Sequence, residues 1–470
     1  MSEGRGRRAA RTGARLIGGG AVAAGVVVAV VAGLTAPWPT IQREPAEIAA
    51  VPAPAPVVLA CGGGLLSLGR DPVAADGLSI AAAASVTAGA RAEVAVPDPV
   101  ALDAPFLTEG DGGAAFTALP EGRTRADIAA ASSAQIAEPD LAGYAASACR
   151  PPLLESWLVG GSAATGAADL VALSNPGDVA ATVELAVFGA EGLTVPPGGA
   201  GVVVPPRSQA VVPLAGLAIG EERPVVRVQA TGAPVQASLQ SSITRTLTAG
   251  GVDQVGALAQ PATDAAILGV TVTGGTVDAA QVPTLVRVLS PSADATVRVT
   301  VTPVGSPAPA LTPTEVDLVA GEPLEVDLGG LENGTYTVDV AADQPVVSAV
   351  WQATGFEAGD DFAWYTPAPL VDVPSVFATP AGPEPVLTLQ NPGDQDATVV
   401  LAAADGGSRV EVIVLAGEST TLRLAPQTVY TLDAASVPIR AAVSLSGDGA
   451  LAGYPVWPAD AAAPPIIVYP

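Results

Sequence analysis

Apolar and polar residues alternate along most of the chain. In 181–188, ATVELAVF, the side chains of Val183, Leu185 and Val187 share one face, and 235–240, 296–302, 336–340 and 441–446 repeat the pattern. A period of two marks a half-buried antiparallel strand. Turn residues break these runs at intervals of about 8–12 residues, the spacing of β-sandwiches. Helical periodicity is scarce. The Ala-rich stretch 124–137, TRADIAAASSAQIA, predicts one short helix.

The N-terminus departs from this pattern. Residues 16–36, LIGGGAVAAGVVVAVVAGLTA, form an uncharged apolar run. As a helix at ~1.5 Å per residue it spans about 30 Å, the thickness of a hydrocarbon core. Arg5, Arg7, Arg8, Arg11 and Arg15 precede it, which predicts a cytoplasmic stub and an extracytoplasmic 37–470. The run exceeds the ~7–15 residues of a usual signal-peptide core. Leu34 and Ala36 before Pro37 also make a poor cleavage site. A retained anchor is therefore preferred to a cleaved signal peptide. Residues 37–56 hold six prolines and predict an extended spacer, with Trp38 at the membrane interface.

A repeat runs through the remainder. Its units contain Leu170 to Asp178 (LVALSNPGD), Leu285 to Pro291 (LVRVLSP) and Val386 to Asp394 (VLTLQNPGD), each followed by an alternating strand. In Asn-Pro-Gly-Asp, Pro fixes one central turn position and Gly is expected to supply positive φ at the next. A calcium site at Asp178 or Asp394 is the weaker reading, because the second unit has Ser292-Ala293 there. The predicted fold is all-β, with an N-terminal transmembrane helix followed by tandem Ig-like sandwiches. Its parts are a basic stub (1–15), anchor (16–36), linker (37–56), disulfide-closed β region (57–150) and sandwiches at 151–262, 263–370 and 371–470.

Composition restricts the chemistry. There is no His, and all 20 basic residues are Arg, against 46 acids. No His triad, His metal ligand, Schiff-base lysine or Walker lysine is available. The formal charge of −26 argues against nucleic-acid binding. No metal or other cofactor is expected. Cys61 and Cys149 are the only cysteines, and an even count outside the membrane predicts a disulfide. A lipobox at Cys61 is disfavoured by its distance from the apolar run.

The early Cys-Gly, the second Cys leading to Trp157-Leu-Val-Gly160-Gly161, and 166–177 (GAADLVALSNPG) resemble an actinobacterial family of envelope proteins of unknown function. The resemblance implies an envelope location and carries no catalytic residues.

Candidate sites are few. Trp157 and Trp351 lie in apolar segments and read as core, as does Trp457. The cluster Asp360, Asp361, Phe362, Trp364 and Tyr365 is polar and aromatic in an aromatic-poor chain, and is the best candidate interaction surface. Other acids, including Glu357, Glu411 and Glu418, read as turn or outward positions. Asn333-Gly334 reads as a hairpin turn before it reads as a glycosylation sequon. The expected function is a non-catalytic envelope scaffold, held to the membrane by its helix and touching envelope proteins or cell-wall glycan. A glycan-binding module and an exported hydrolase using two carboxylates are the alternatives.

Overall fold

The computed structural model describes residues 4–35, 48–50, 54–69, 77–91, 95–122, 125–273, 282–329, 331–434, 437–459 and 466–468. Trp38 and most of the expected linker lie outside the described residues. The chain divides into two compact units, Met1–Pro52 with Pro465–Pro470, and Ala53–Pro464.

In the first unit a helix covers Gly4–Thr35. Its span Leu16–Thr35 has a mean hydropathy of 2.2, long and apolar enough for a membrane anchor or a signal sequence. The strand Ile48–Ala50 pairs antiparallel with Ile466–Val468.

The second unit is all-β. Two antiparallel sheets built from residues 155–256 enclose one core, in which Val171 and Leu173 meet Val183, Leu185 and Val187. Sheets follow over 262–365 and over 370–455. Strict alternation shows in the burial of Ala295–Pro303 and Ala397–Ala403, whose inward Val297, Val299 and Val399 are fully enclosed. Strands Leu170–Asn175, Leu285–Leu289 and Pro385–Gln390 occupy matching places, each paired on both sides within its sheet. Residues 57–148 form smaller sheets of their own, tied by Cys61–Cys149.

The expected helix at 124–137 is instead the strand Ile128–Ala137. Alanine favours helix only weakly, and packing overrides that preference. The strand's first seven residues are all buried, so small side chains are needed on both faces.

The Asn-Pro-Gly-Asp turn also differs from expectation. Gly177 and Gly393 are absent from the positive-φ residues. The side chain of the asparagine organises the turn. Buried Asn175 accepts the Gly177 N–H at Oδ1 and donates through Nδ2 to the carbonyls of Val179, Val204 and Pro205. Asn391 does the same with Gly393, Gln395 and Val414. A Cβ on Gly177 would lie 3.3 Å from Asn175 Oδ1, so glycine serves close approach here.

Each of the four β units contributes one hairpin to the centre: Ile128–Ala137 with Ala142–Ala148, Gln236–Arg245 with Thr248–Gly256, Gly334–Ala353 with Phe362–Tyr365, and Ile439–Gly447 with Ala450–Pro455. The returning strands lie side by side in that order, and the last lies beside the first. Their arrangement closes a ring around a common axis. Polar clips fasten every seam. Gln240 exchanges two 2.7 Å hydrogen bonds with the backbone of Leu66. Arg287 crosses from the second sandwich to carbonyls of the first. Arg440 pairs with Asp264, and Gln390 donates to Asp339. Ser133 and Tyr144 both donate to the carbonyl of Ala381.

Candidate functional site

The predicted surface cluster lies at the centre of this ring, and the expectation that it is exposed is corrected. Asp361 is 0% exposed, Phe362 1%, Trp364 5% and Tyr365 2%. Asp360, half-buried, closes its own loop: it accepts the Glu357 N–H and the Thr354 hydroxyl. The acidic pair made the segment look like surface. Asp361 is buried because backbone donors from other units satisfy it.

The Oδ2 of Asp361 accepts N–H groups from Tyr144 at 2.9 Å and Leu451 at 3.1 Å, and its Oδ1 accepts Val252 N–H at 3.0 Å. One carboxylate therefore binds all three other returning strands. Burial pushes its carboxyl up to about 7, while these N–H donors pull the other way. Gly143, at φ +140°, permits the approach; a Cβ there would stand 2.5 Å from Asp361 Oδ1. Asp253, 1% exposed, accepts the Trp364 N–H at 2.7 Å, and desolvation raises its carboxyl well above the ordinary range.

Beside this hub a cleft of about 250 Å³ opens between the first two sandwiches, lined by Asp169, Arg245, Arg287, Glu325, Trp351 and Trp364 among others. Asp169 accepts N–H groups from Ser162 and Ser242 and the Ser241 hydroxyl; burial pushes it up to about 6. Arg287 forms a 2.7 Å ion pair with Glu325, its guanidinium 4.6 Å from the centroid of the Trp364 ring. Gly160 rests against the same ring, where a Cβ would be 3.1 Å away. The indole is thus covered by protein and offers no open face for stacking a sugar.

The remaining expected residues are placed as follows. Cys61 and Cys149 are joined in a disulfide, with Cα atoms 4.2 Å apart. Trp157 and Trp351 are buried, and Trp457 is half-buried under Arg150. Asp178 is exposed and paired with Arg207. Among the described residues no group of three or more His, Cys, Asp or Glu is placed to hold a metal ion. Sequence reasoning missed the hub. The available signal was the echo of Leu141-Ala-Gly-Tyr144 in Leu451-Ala-Gly-Tyr454, two returning strands of the ring.

Fold and site define an all-β protein with an N-terminal apolar helix, a disulfide suited to an extracytoplasmic body, and acids committed to holding β units together. The chain belongs to a family of unknown function, DUF5719, whose family model matches residues 107–427. No curated protein and no solved structure matches it.

Proposed function

We propose that this is a non-catalytic, single-pass protein of the cell envelope. Its ring of Ig-like sandwiches faces outward and serves as a rigid scaffold for other envelope components. The observation that carries this reading is the use made of the buried acids. Asp361 and Asp253 are buried, at 0% and 1% exposure, and are engaged by backbone N–H groups from other units. A carboxylate-dependent hydrolase needs two acids facing a substrate cleft, roughly 5–10 Å apart. Proximity labelling from the C-terminus in intact cells tests the scaffold reading. Reproducible labelling of envelope proteins supports it. Purified protein that cleaves cell-wall glycan, and stops on Asp→Asn substitution, overturns it.

One observation favours the hydrolase alternative. Asp169, at about 6, and Glu325 line the same cleft, and a general acid is commonly a carboxyl raised into that range. Asp169→Asn is the variant that separates the readings: it should leave partner labelling intact if the protein is a scaffold.

A further inference from the structure

Among the described residues, one strongly buried cation without an acid lies away from the hub. Arg150 is 7% exposed, and its Nε has no hydrogen-bond partner. Burial pushes its guanidinium well below the ordinary range, and no carboxylate among the described residues counters that. In a chain with 46 acids this is a conspicuous omission. A buried charge is costly unless it is paired. The guanidinium lies over the Trp457 ring, 3.0 Å from its centroid, and the Trp457 Nε1–H is also buried and unpartnered.

Both side chains line a cleft of about 400 Å³ between the N-terminal β region and the last sandwich. Its walls are apolar, including Val57, Leu59, Ile128, Phe377 and Val456. Arg125 and Asp127 at its edge form a 3.0 Å ion pair, and Arg150 is the further charged side chain among the described residues that line the cleft. The adjacent Cys61–Cys149 disulfide and the Ala60–Arg150 backbone pairing at 2.9 Å fix the cation in place. Pockets with apolar walls and a few convergent polar groups are the usual form of small-ligand sites.

We propose that this cleft binds a monocarboxylate carried on an apolar body, with the carboxylate on the Arg150 guanidinium and the Trp457 indole N–H, and the body against the apolar walls. A guanidinium holds a carboxylate through two parallel N–H bonds, which sets the ligand's orientation. The same chemistry is offered by a short fatty acid and by the free C-terminus of an apolar peptide.

The test is calorimetric titration of the full chain in detergent with hexanoate, hexanamide, and acetyl-Ala-Pro-Val as acid and as amide. Saturable binding of at least one acid, with its amide silent, is expected; preference for hexanoate or for the peptide acid identifies the source. Arg150→Met should weaken binding at least tenfold. Trp457→Phe keeps the cation and removes one donor, and should weaken binding several-fold. The ligand should also raise the wild-type unfolding temperature in a concentration-dependent way, which requires no variant to fold. Equal binding of acid and amide, or unchanged affinity in a folded Arg150→Met protein, overturns the proposal.

Discussion

The central carboxylate makes an unusual prediction about pH. An unfolded Asp titrates near about 3.9, whereas folded Asp361 titrates at about 7. Between those values the folded state holds the additional proton, so unfolding free energy falls as pH rises. The stability tied to this group is complete below about pH 4 and is lost by pH values above 7. At 1.36 kcal/mol per unit the loss is roughly 4 kcal/mol. The group is 0% exposed, so solvent screening takes nothing from the figure. Asp169 and Asp253, also raised by burial, act with the same sign. Asp361→Asn removes this titration. Its amide keeps one accepting oxygen but turns an N–H₂ toward a backbone N–H, at a cost of about 1–3 kcal/mol for the orphaned donor. The variant should therefore be less stable than wild type at pH 5 and at least as stable at pH 8. Urea unfolding of both proteins from pH 4.5 to 8 measures this, with hydrogen exchange at Tyr144, Val252 and Leu451 reporting on the hub. A wild-type curve that is flat or rising between pH 5 and 7.5 would refute the reasoning. It would mean that the three N–H donors outweigh desolvation and keep the carboxylate ionised throughout.

Reducing the protein should lower its unfolding free energy by about 4–5 kcal/mol, from the loop-entropy model and the 88-residue separation of Cys61 and Cys149; urea midpoints with and without reductant check it. Arg287→Met breaks a buried ion pair and removes donors from the Gly161, Pro224 and Glu222 carbonyls. A loss of about 3–5 kcal/mol is expected, and Arg287→Lys should not restore it because one ammonium cannot reproduce the fork. Asn175→Asp should destabilise more than Asn175→Ser. The carboxylate would face the three carbonyls that Nδ2 now satisfies, and thermal unfolding above pH 6 will show the order. Gly143→Ala places a Cβ 2.8 Å from the Val252 nitrogen at φ +140° and should cost about 3 kcal/mol, read as faster exchange across the hub.

Strand positions were legible because each is written locally. Alternation in 181–188 or 296–302 needs only a buried face and a wet one, and the structure puts Val183, Val297 and Val299 inside. The ring was not legible, because its requirements are spread over strands from four units. Asp361 takes donors from residues 90, 109 and 217 positions away along the chain. Backbone N–H groups leave no trace in residue identity, so an acid held by three of them reads as an exposed acid. The Ala-rich 128–137 misled for a related reason. Its alanines satisfy close packing of neighbouring strands, a demand that sequence periodicity expresses no differently from helix propensity.

The hub also accounts for the way the chain uses its small residues. The four returning strands approach closely around the Asp361 carboxylate. At Gly143 and Gly251 a Cβ would come within 2.5 Å and 2.8 Å of Asp361 Oδ1, so two of the other returning strands must be bare where this one carries its carboxylate. Gly453 yields in the same way to the ring of Tyr365, where a Cβ would be 2.4 Å from Cε1. The units are alike in outline and unlike at the centre. With several similar β units on one chain, hairpins are at risk of docking in the wrong order, and outline alone does not distinguish them. A single buried acid that only one arrangement satisfies does, since each misplaced hairpin would leave it without donors or force it into a Cβ. The low aromatic content follows from the same geometry. Closely approaching strands favour Gly, Ala and Ser, and the aromatic residues Tyr144, Phe362, Trp364, Tyr365 and Tyr454 gather on the returning strands that carry the closure.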